Sequence, residues 1–266
     1  MTLRALLRTL APAMLLAIAA CTHREGSLKA PLLVFAAADL RDALTEAAKA
    51  FRGAGGDSVV LVFGSTGDLA AQIANGAPAD VFFAANARAV DDLAAQHLVI
   101  DSTRAVYAIG RLAVIARCAE SNPGAASTCP TLALTDLTGS AIKTVAIADP
   151  AHAPYGMAAK QALERAGVWA QVQPKLVLGA NIAQAEQFVA TGNADAGLIA
   201  LSLVRRTPNR TYTLVDSTLH DPLRQTVVVR AGSTRVPAAI ALVSFIQRGA
   251  GRAVLDRYGF TAPAPP

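Results

Sequence analysis

Phe63-Gly64-Ser65-Thr66-Gly67-Asp68-Leu69-Ala70-Ala71-Gln72-Ile73 joins two patterns in eleven residues. The apolar, β-branched run Ser58–Phe63 reads as a buried strand, and Leu69 and Ile73 then take up helical spacing. Between them lies a turn of small and hydroxyl residues. A strand that feeds such a turn into a helix N-terminus presents free backbone N–H groups, hydroxyl donors and the positive end of the helix dipole. That combination holds an anion without any Lys or Arg. A Ser or Thr that only caps its helix gives the same local pattern, so the number of such turns in the chain decides its weight.

Three more junctions have the same form. Phe35-Ala36-Ala37-Ala38-Asp39-Leu40 ends the first strand, with Asp39 placed to cap the next helix. Asp149-Pro150-Ala151-His152-Ala153-Pro154-Tyr155-Gly156 leaves a strand and brings a phenol to a helix start. Leu178-Gly179-Ala180-Asn181-Ile182 follows another strand, with Asn181 as the cap. Strand-like runs cover Leu32–Ala36, Val59–Phe63, Val81–Phe83, Val106–Arg117, Thr144–Ala148, Lys175–Leu178, Ala196–Ala200 and Thr226–Arg230. Helical spacing covers Leu40–Phe51, Leu69–Asn75, Ala87–Gln96, Gly156–Ala166, Ile182–Thr191, Pro237–Arg248 and Gly251–Tyr258. Helices alternating with short buried strands predict an α/β fold with mainly parallel sheets, whose ligands sit beyond the carboxyl ends of strands.

The N-terminus speaks to compartment. Arg4 and Arg8 precede an apolar run from Leu10 to Ala20, too short to span a bilayer and laid out as a secretory signal. Cys21 follows Ile18-Ala19-Ala20 directly, which resembles a bacterial lipobox; lipidation of Cys21 would tether the mature chain to a membrane surface. An ordinary signal with an incidental Cys is the other reading. The remaining pair, Cys118 and Cys129, flanks a polar, turn-rich loop and reads as a structural disulfide in an oxidising space. Without nearby His they make a poor metal site.

Composition bounds the partners. The whole chain carries 24 Lys+Arg against 19 Asp+Glu, a net charge of +5, and removal of Arg4 and Arg8 with the leader lowers the excess further. Arg205, Arg206 and Arg210 form the densest basic cluster, but no aromatic residues interleave with them for base stacking, so nucleic acid is not an expected partner. His152 reads as a turn histidine, since His23, His97 and His220 lie in unrelated segments. Asp80 reads as a bond to neighbouring backbone, and Tyr107 and Tyr258 as packing residues. No nucleophile-elbow pattern surrounds Ser65 and Thr66, and no base is identifiable for them.

At this point the chain resembles the periplasmic molybdate-binding (ModA-type) components of ABC importers, which are type II periplasmic binding proteins. The segments that carry the resemblance run from about residue 32 to 260. They are Phe-Ala-Ala-Ala-Asp-Leu (35–40), Gly-Ser-Thr-Gly (64–67), Asn-Gly-Ala-Pro-Ala-Asp-Val-Phe-Phe (75–83) and Tyr-Ala-Ile-Gly-Arg-Leu (107–112). Asp-Pro-Ala-His-Ala-Pro-Tyr-Gly (149–156), Gln-Pro-Lys-Leu-Val-Leu-Gly-Ala-Asn (173–181), Gly-Asn-Ala-Asp-Ala-Gly-Leu-Ile-Ala-Leu-Ser (192–202) and Arg-Tyr-Gly-Phe (257–260) continue it.

The resemblance implies two α/β lobes, each a mainly parallel sheet flanked by helices, with the ligand cleft between them. Leader, tether and lobes are expected over 1–20, 21–30, 31–113 with 226–266, and 114–225. The chain is expected to cross between lobes near Arg111–Cys118 and to return near Leu223–Val229. The family holds its oxyanion through hydroxyls and backbone amides, and the matching positions are Ala38, Asp39, Ser65, Thr66, Tyr155 and the amide of Ile182. Two positions depart from the pattern. Ala38 offers no hydroxyl where many relatives have Ser or Thr, and Ala200 stands where some members place a Tyr, leaving Tyr155 to supply the phenol. A carboxylate about 4 Å from a dianion is repelled by several kcal/mol, so Asp39 is expected to turn its side chain away and cap its helix.

The implied function is capture of molybdate, and of tungstate, which is nearly the same size, by a monomeric lipid-anchored periplasmic receptor. It would deliver the anion to an inner-membrane permease and ATPase, with no cofactor, no protein-ligated cation and no catalysis. Smaller sulfate would leave some donors unpaired, at about 1–3 kcal/mol each. Three alternatives stand beside it: a receptor for another oxyanion or small organic anion, a secreted hydrolase using Ser65 or Thr66, and a purely structural lipoprotein.

Overall fold

A computed structural model describes residues 30–118, 129–207 and 210–263. The expected leader, Cys21 and nearly all of the tether lie outside the described residues. The first part of the chain forms β1 (Leu32–Ala37), a 3-10 turn (Ala38–Leu40), α1 (Arg41–Gly53), β2 (Val59–Gly64), α2 (Thr66–Ala74), β3 (Val81–Ala84), α3 (Arg88–Ala95) and β4 (Val99–Gly110). Next come β5 (Leu112–Ala116), β6 (Val145–Ala148), α4 (Pro154–Arg165), α5 (Trp169–Val172), β7 (Leu176–Gly179), α6 (Ile182–Ala190), β8 (Ala196–Ala200), α7 (Leu201–Val204) and β9 (Thr213–Leu214). The chain then closes with β10 (Leu223–Arg230), α8 (Val236–Gln247) and α9 (Gly249–Arg257).

Two five-stranded sheets result, in the orders β2-β1-β3-β10-β4 and β7-β6-β8-β5-β9. Each is more mixed than the repeating helices suggest. The three strands β2, β1 and β3 run parallel, β10 is antiparallel to β3, and β4 is antiparallel to β10 and so runs with the first three. The second sheet repeats the arrangement, with β7, β6 and β8 parallel, β5 antiparallel to β8, and β9 antiparallel to β5. Strands joined by helical crossovers must be parallel, whereas those that carry the chain between sheets are free of that constraint.

The expected single strand Val106–Arg117 is two strands interrupted at Arg111. Val106–Gly110 belongs to the end of β4 in the first sheet, and β5 belongs to the second. The return falls between β9 and β10, ahead of Leu223 and not within Leu223–Val229, because all of β10 pairs in the first sheet and Leu223 lies opposite Gly110. The short α5, α7 and β9 escape the sequence reading, since four residues or fewer carry too little periodicity.

The first sheet is covered on both faces. Leu32, Val34 and Ala36 point to a core shared with Leu40, Leu44, Ala47, Leu242 and Leu255, whereas Phe35 points to the opposite core with Leu69, Ile73, Val90 and Leu93. This is strand alternation dividing one strand between two helical layers. The second sheet is built around Val145, Ile147, Leu198 and Ile199, with Ala159, Leu163 and Val189 from its helices. Cys118 and Cys129 are joined by a disulfide that closes the loop after β5.

Candidate functional site

The strand ends place the four turns side by side. Ser65 is the N-cap of α2, its Oγ accepting the Asp68 N–H at 3.2 Å, and the Thr66 Oγ1 accepts the Ala85 N–H at 3.1 Å. Both hydroxyls are buried and both are used as acceptors, which leaves their own protons available for donation. On the second sheet the Asn181 Oδ1 accepts the N–H groups of Ala183 and Gln184, each at 3.1 Å. The cap leaves the N–H of Ile182, the first residue of α6, without an intrahelical acceptor.

Tyr155 is the second residue of α4, behind Pro154, which suits a first helical position because it has no N–H to satisfy. Its ring is buried, and its hydroxyl has no hydrogen-bond partner among the described residues. The phenol reaches the backbone of β4 at Gly110, where a Cβ would lie 2.2 Å from the phenol oxygen and 2.9 Å from the Gln225 amide nitrogen. Glycine is needed there for lack of space.

Asp39 corrects an expectation. It does not cap its helix: the N-cap of the 3-10 turn is Ala37, with no side-chain cap bond, and the Asp39 side chain is turned inward. Its Oδ2 accepts from the Gln225 amide at 2.8 Å, and its backbone carbonyl accepts the Ser202 hydroxyl at 2.6 Å. The Gln225 carbonyl oxygen in turn accepts from the Tyr107 hydroxyl at 3.3 Å, so Tyr107 is more than a packing residue. A polar side chain buried on β10 satisfies two others, and Oδ1 of Asp39 remains without a partner among the described residues.

Burial dominates the electrostatics. It pushes the Asp39 carboxyl up to about 7, against weaker lowering from Tyr155, Gln225 and the backbone N–H groups of Asp39 and Leu40. The Tyr155 hydroxyl is close enough to act on Asp39, although the pair lacks hydrogen-bond geometry. Burial and then the neighbouring Asp39 charge push both Tyr107 and Tyr155 well above the usual phenol range. Both phenols therefore stay protonated and can act as donors.

All six residues named from the sequence, Ala38, Asp39, Ser65, Thr66, Tyr155 and Ile182, line one small cavity. Ala37, Gly64, Ala85, Ala153, Pro154 and Asn181 complete the wall. No Lys, Arg or His is among them. Outside the cavity opens a wider cleft of about 630 Å³ whose walls include Asn86, Arg88, His152, Met157, Gln161 and Asp221. The Gly67 N–H crosses that boundary to the His152 carbonyl at 2.9 Å. The His152 ring faces Asp68 at 3.7 Å and Asp149 at 3.9 Å, so its turn also bridges the two sheets' helices.

The other polar residues are structural. Asp80 accepts the Leu33 N–H at 2.9 Å and the Ser233 hydroxyl at 2.6 Å. Tyr258 donates to Glu46 at 3.1 Å. Arg206 and Arg210 converge on Glu186 at 3.4 and 3.3 Å. Among the described residues no cluster of His, Cys, Asp or Glu could hold a metal ion. Gln225, Ser202 and Gly110 were not legible as site residues. The one sequence signal for Gln225 is a polar run, Arg224-Gln225-Thr226, directly ahead of the apolar stretch Val227–Val229 in the same strand.

The family model for bacterial extracellular solute-binding proteins matches residues 32–261. The molybdate-binding protein ModA of Azotobacter vinelandii is 36% identical over 234 residues, 87% of this chain and 90% of that protein. ModA of Rhodobacter capsulatus is 32% identical over 77% of this chain and 78% of its own length. The solved periplasmic molybdate-binding protein of Azotobacter vinelandii superposes with a TM-score of 0.78 at 27% identity, covering 87% of this chain and 99% of that one. With two mixed sheets flanked by helices and a polar cavity at their facing strand ends, the chain belongs to the bacterial extracellular solute-binding proteins and is of the ModA type.

Proposed function

We propose that this protein captures molybdate, and with it tungstate, in the cavity between its two sheets and hands the anion to an ABC permease. The observation that carries the reading is the convergence of uncharged donors. The hydroxyls of Ser65, Thr66 and Tyr155 and the N–H groups at the starts of α2 and α6 border one cavity without a cationic side chain. Uncharged donors in fixed positions bind a fully ionised oxyanion by size and geometry, and desolvation strengthens each charge-assisted bond. The names of the similar proteins point to the same ligand. Ala38 contributes at most its backbone, so one donor fewer reaches the anion than a Ser or Thr would give there.

The two sheets with their helices act as lobes that part and close about Arg111 and the segment before Leu223, and the Gly67–His152 bond forms on closure. The protein works as a periplasmic monomer, held to the membrane by lipid on Cys21. A hydrolase reading gains little from the geometry: Ser65 Oγ is occupied as a helix cap and Thr66 Oγ1 by the Ala85 N–H.

Thermal melting of the purified protein against molybdate, tungstate, sulfate, phosphate and chromate tests the reading. Molybdate and tungstate should raise Tm with concentration, as binding to the native state alone demands. A response confined to a smaller anion would reassign the cavity to it, and no response to any oxyanion would sink the proposal.

A further inference from the structure

We propose that the cavity takes up its oxyanion together with one proton, carried by the Asp39 carboxyl. This rests on the oxyanion reading of the cavity and deepens it. Asp39 lines the cavity, is buried to 1% exposure, and has one oxygen bonded to Gln225 while Oδ1 has no partner among the described residues. An ionised carboxylate in that wall would repel a dianion in a poorly solvated space. A proton from solvent, placed on Oδ1, removes the charge and converts an orphan acceptor into a donor directed at the anion or at the Tyr155 oxygen.

Among the described residues, nothing packed around Asp39 supplies a compensating cation. The groups that face it are the neutral phenols of Tyr107 on β4 and Tyr155 on α4, the Gln225 amide on β10 and the Ser202 hydroxyl on α7. On α1, Asp42 pairs with Arg206 at 3.5 Å; on α6, Glu186 takes up Arg206 and Arg210. On α2, Asp68 faces His152. The carboxyl of the unliganded protein, raised by burial to about 7, is poised to change state near neutral pH. Molybdate itself stays a dianion across that range, so the protein supplies the proton-dependent group.

The test is calorimetric titration of molybdate into the full protein, in buffers of different ionisation enthalpy, from pH 6 to pH 8.5. The wild-type protein should take up nearly one proton per anion at the alkaline end and little at pH 6. Its affinity should fall by up to about tenfold per pH unit above neutrality. Asp39→Asn should bind with no linked proton and a flat pH profile, and His152→Asn should keep the wild-type uptake. Molybdate binding with no proton uptake at alkaline pH, or uptake lost in His152→Asn, overturns the inference while leaving the molybdate reading intact. Absence of binding by the wild type at every pH overturns both.

Discussion

The Gly67 N–H donates to the His152 carbonyl oxygen at 2.9 Å, joining the first turn of α2 to the loop that leads into α4. A Cβ at residue 67 would stand 2.7 Å from that oxygen and 3.0 Å from the His152 Cβ. The approach of the two lobes beside the cavity therefore depends on a missing side chain. Gly67→Ala should keep the contact from forming, leaving each lobe folded. Molybdate affinity should drop by at least about tenfold, the equivalent of one hydrogen bond and its surrounding contacts, with little change in the melting temperature of the free protein. A variant with unaltered affinity would show that this contact plays no part in closure.

Tyr155→Phe separates binding from stability. Among the described residues the buried phenol oxygen has no hydrogen-bond partner, so its removal takes away an unsatisfied polar group. The free protein should melt at the same temperature or higher, while molybdate binding weakens by about ten- to a hundredfold, as for one charge-assisted bond. Weaker binding together with a lowered melting temperature would point to a packing role for the hydroxyl.

Thr66→Val should move both quantities the same way. The hydroxyl satisfies the Ala85 N–H, so its loss leaves a buried donor unpaired and costs about 1–3 kcal/mol of stability in addition to a ligand contact. Chemical denaturation and calorimetry on the same variant would read the two losses separately.

Stability should depend on pH through Asp39. Its folded-state value of about 7 lies above the ordinary 3.8, so the native state binds this proton more tightly than the unfolded chain does. The resulting burden is absent below about pH 4, grows through the interval and is complete above about pH 7. Asp39→Asn should therefore be stabilised relative to the wild type at pH 8 and by much less at pH 4.5, in urea unfolding. A difference of constant size across that range would contradict the assignment.

Reduction of the Cys118–Cys129 disulfide opens a loop of sequence separation 11 in the second lobe, away from the cavity. The chain-entropy estimate gives a loss of about 2–3 kcal/mol. Anion affinity measured well below the melting range should be unchanged.

The turns that line the cavity were legible because each carries its own chemistry. Ser65 and Asn181 are caps that follow a strand and open a helix, and a local hydrogen bond fixes both. Asp39 has the same local signature, yet its side chain answers to Gln225, 186 residues away. A buried long-range partner outcompetes a local cap, and no spacing rule announces it. The mixed sheets were illegible for a related reason: β5 and the apolar stretches of β4 (Ala105–Ile109) and β10 (Val227–Val229) read like any buried strand, and nothing local announces that β5 and β10 reverse direction where the chain passes between the sheets. Gly110 was passed over because its role is the room it leaves for Tyr155.

The most direct test of the account is the position of molybdenum in crystals grown with molybdate, read from its anomalous scattering. The account predicts one peak in the cavity bounded by Ala38, Ser65, Thr66, Tyr155 and Ile182, with oxygens within hydrogen-bond distance of the hydroxyls and of the Ile182 N–H. A peak confined to the outer cleft beside Arg88 and His152, or no ordered peak at saturating molybdate, would contradict it.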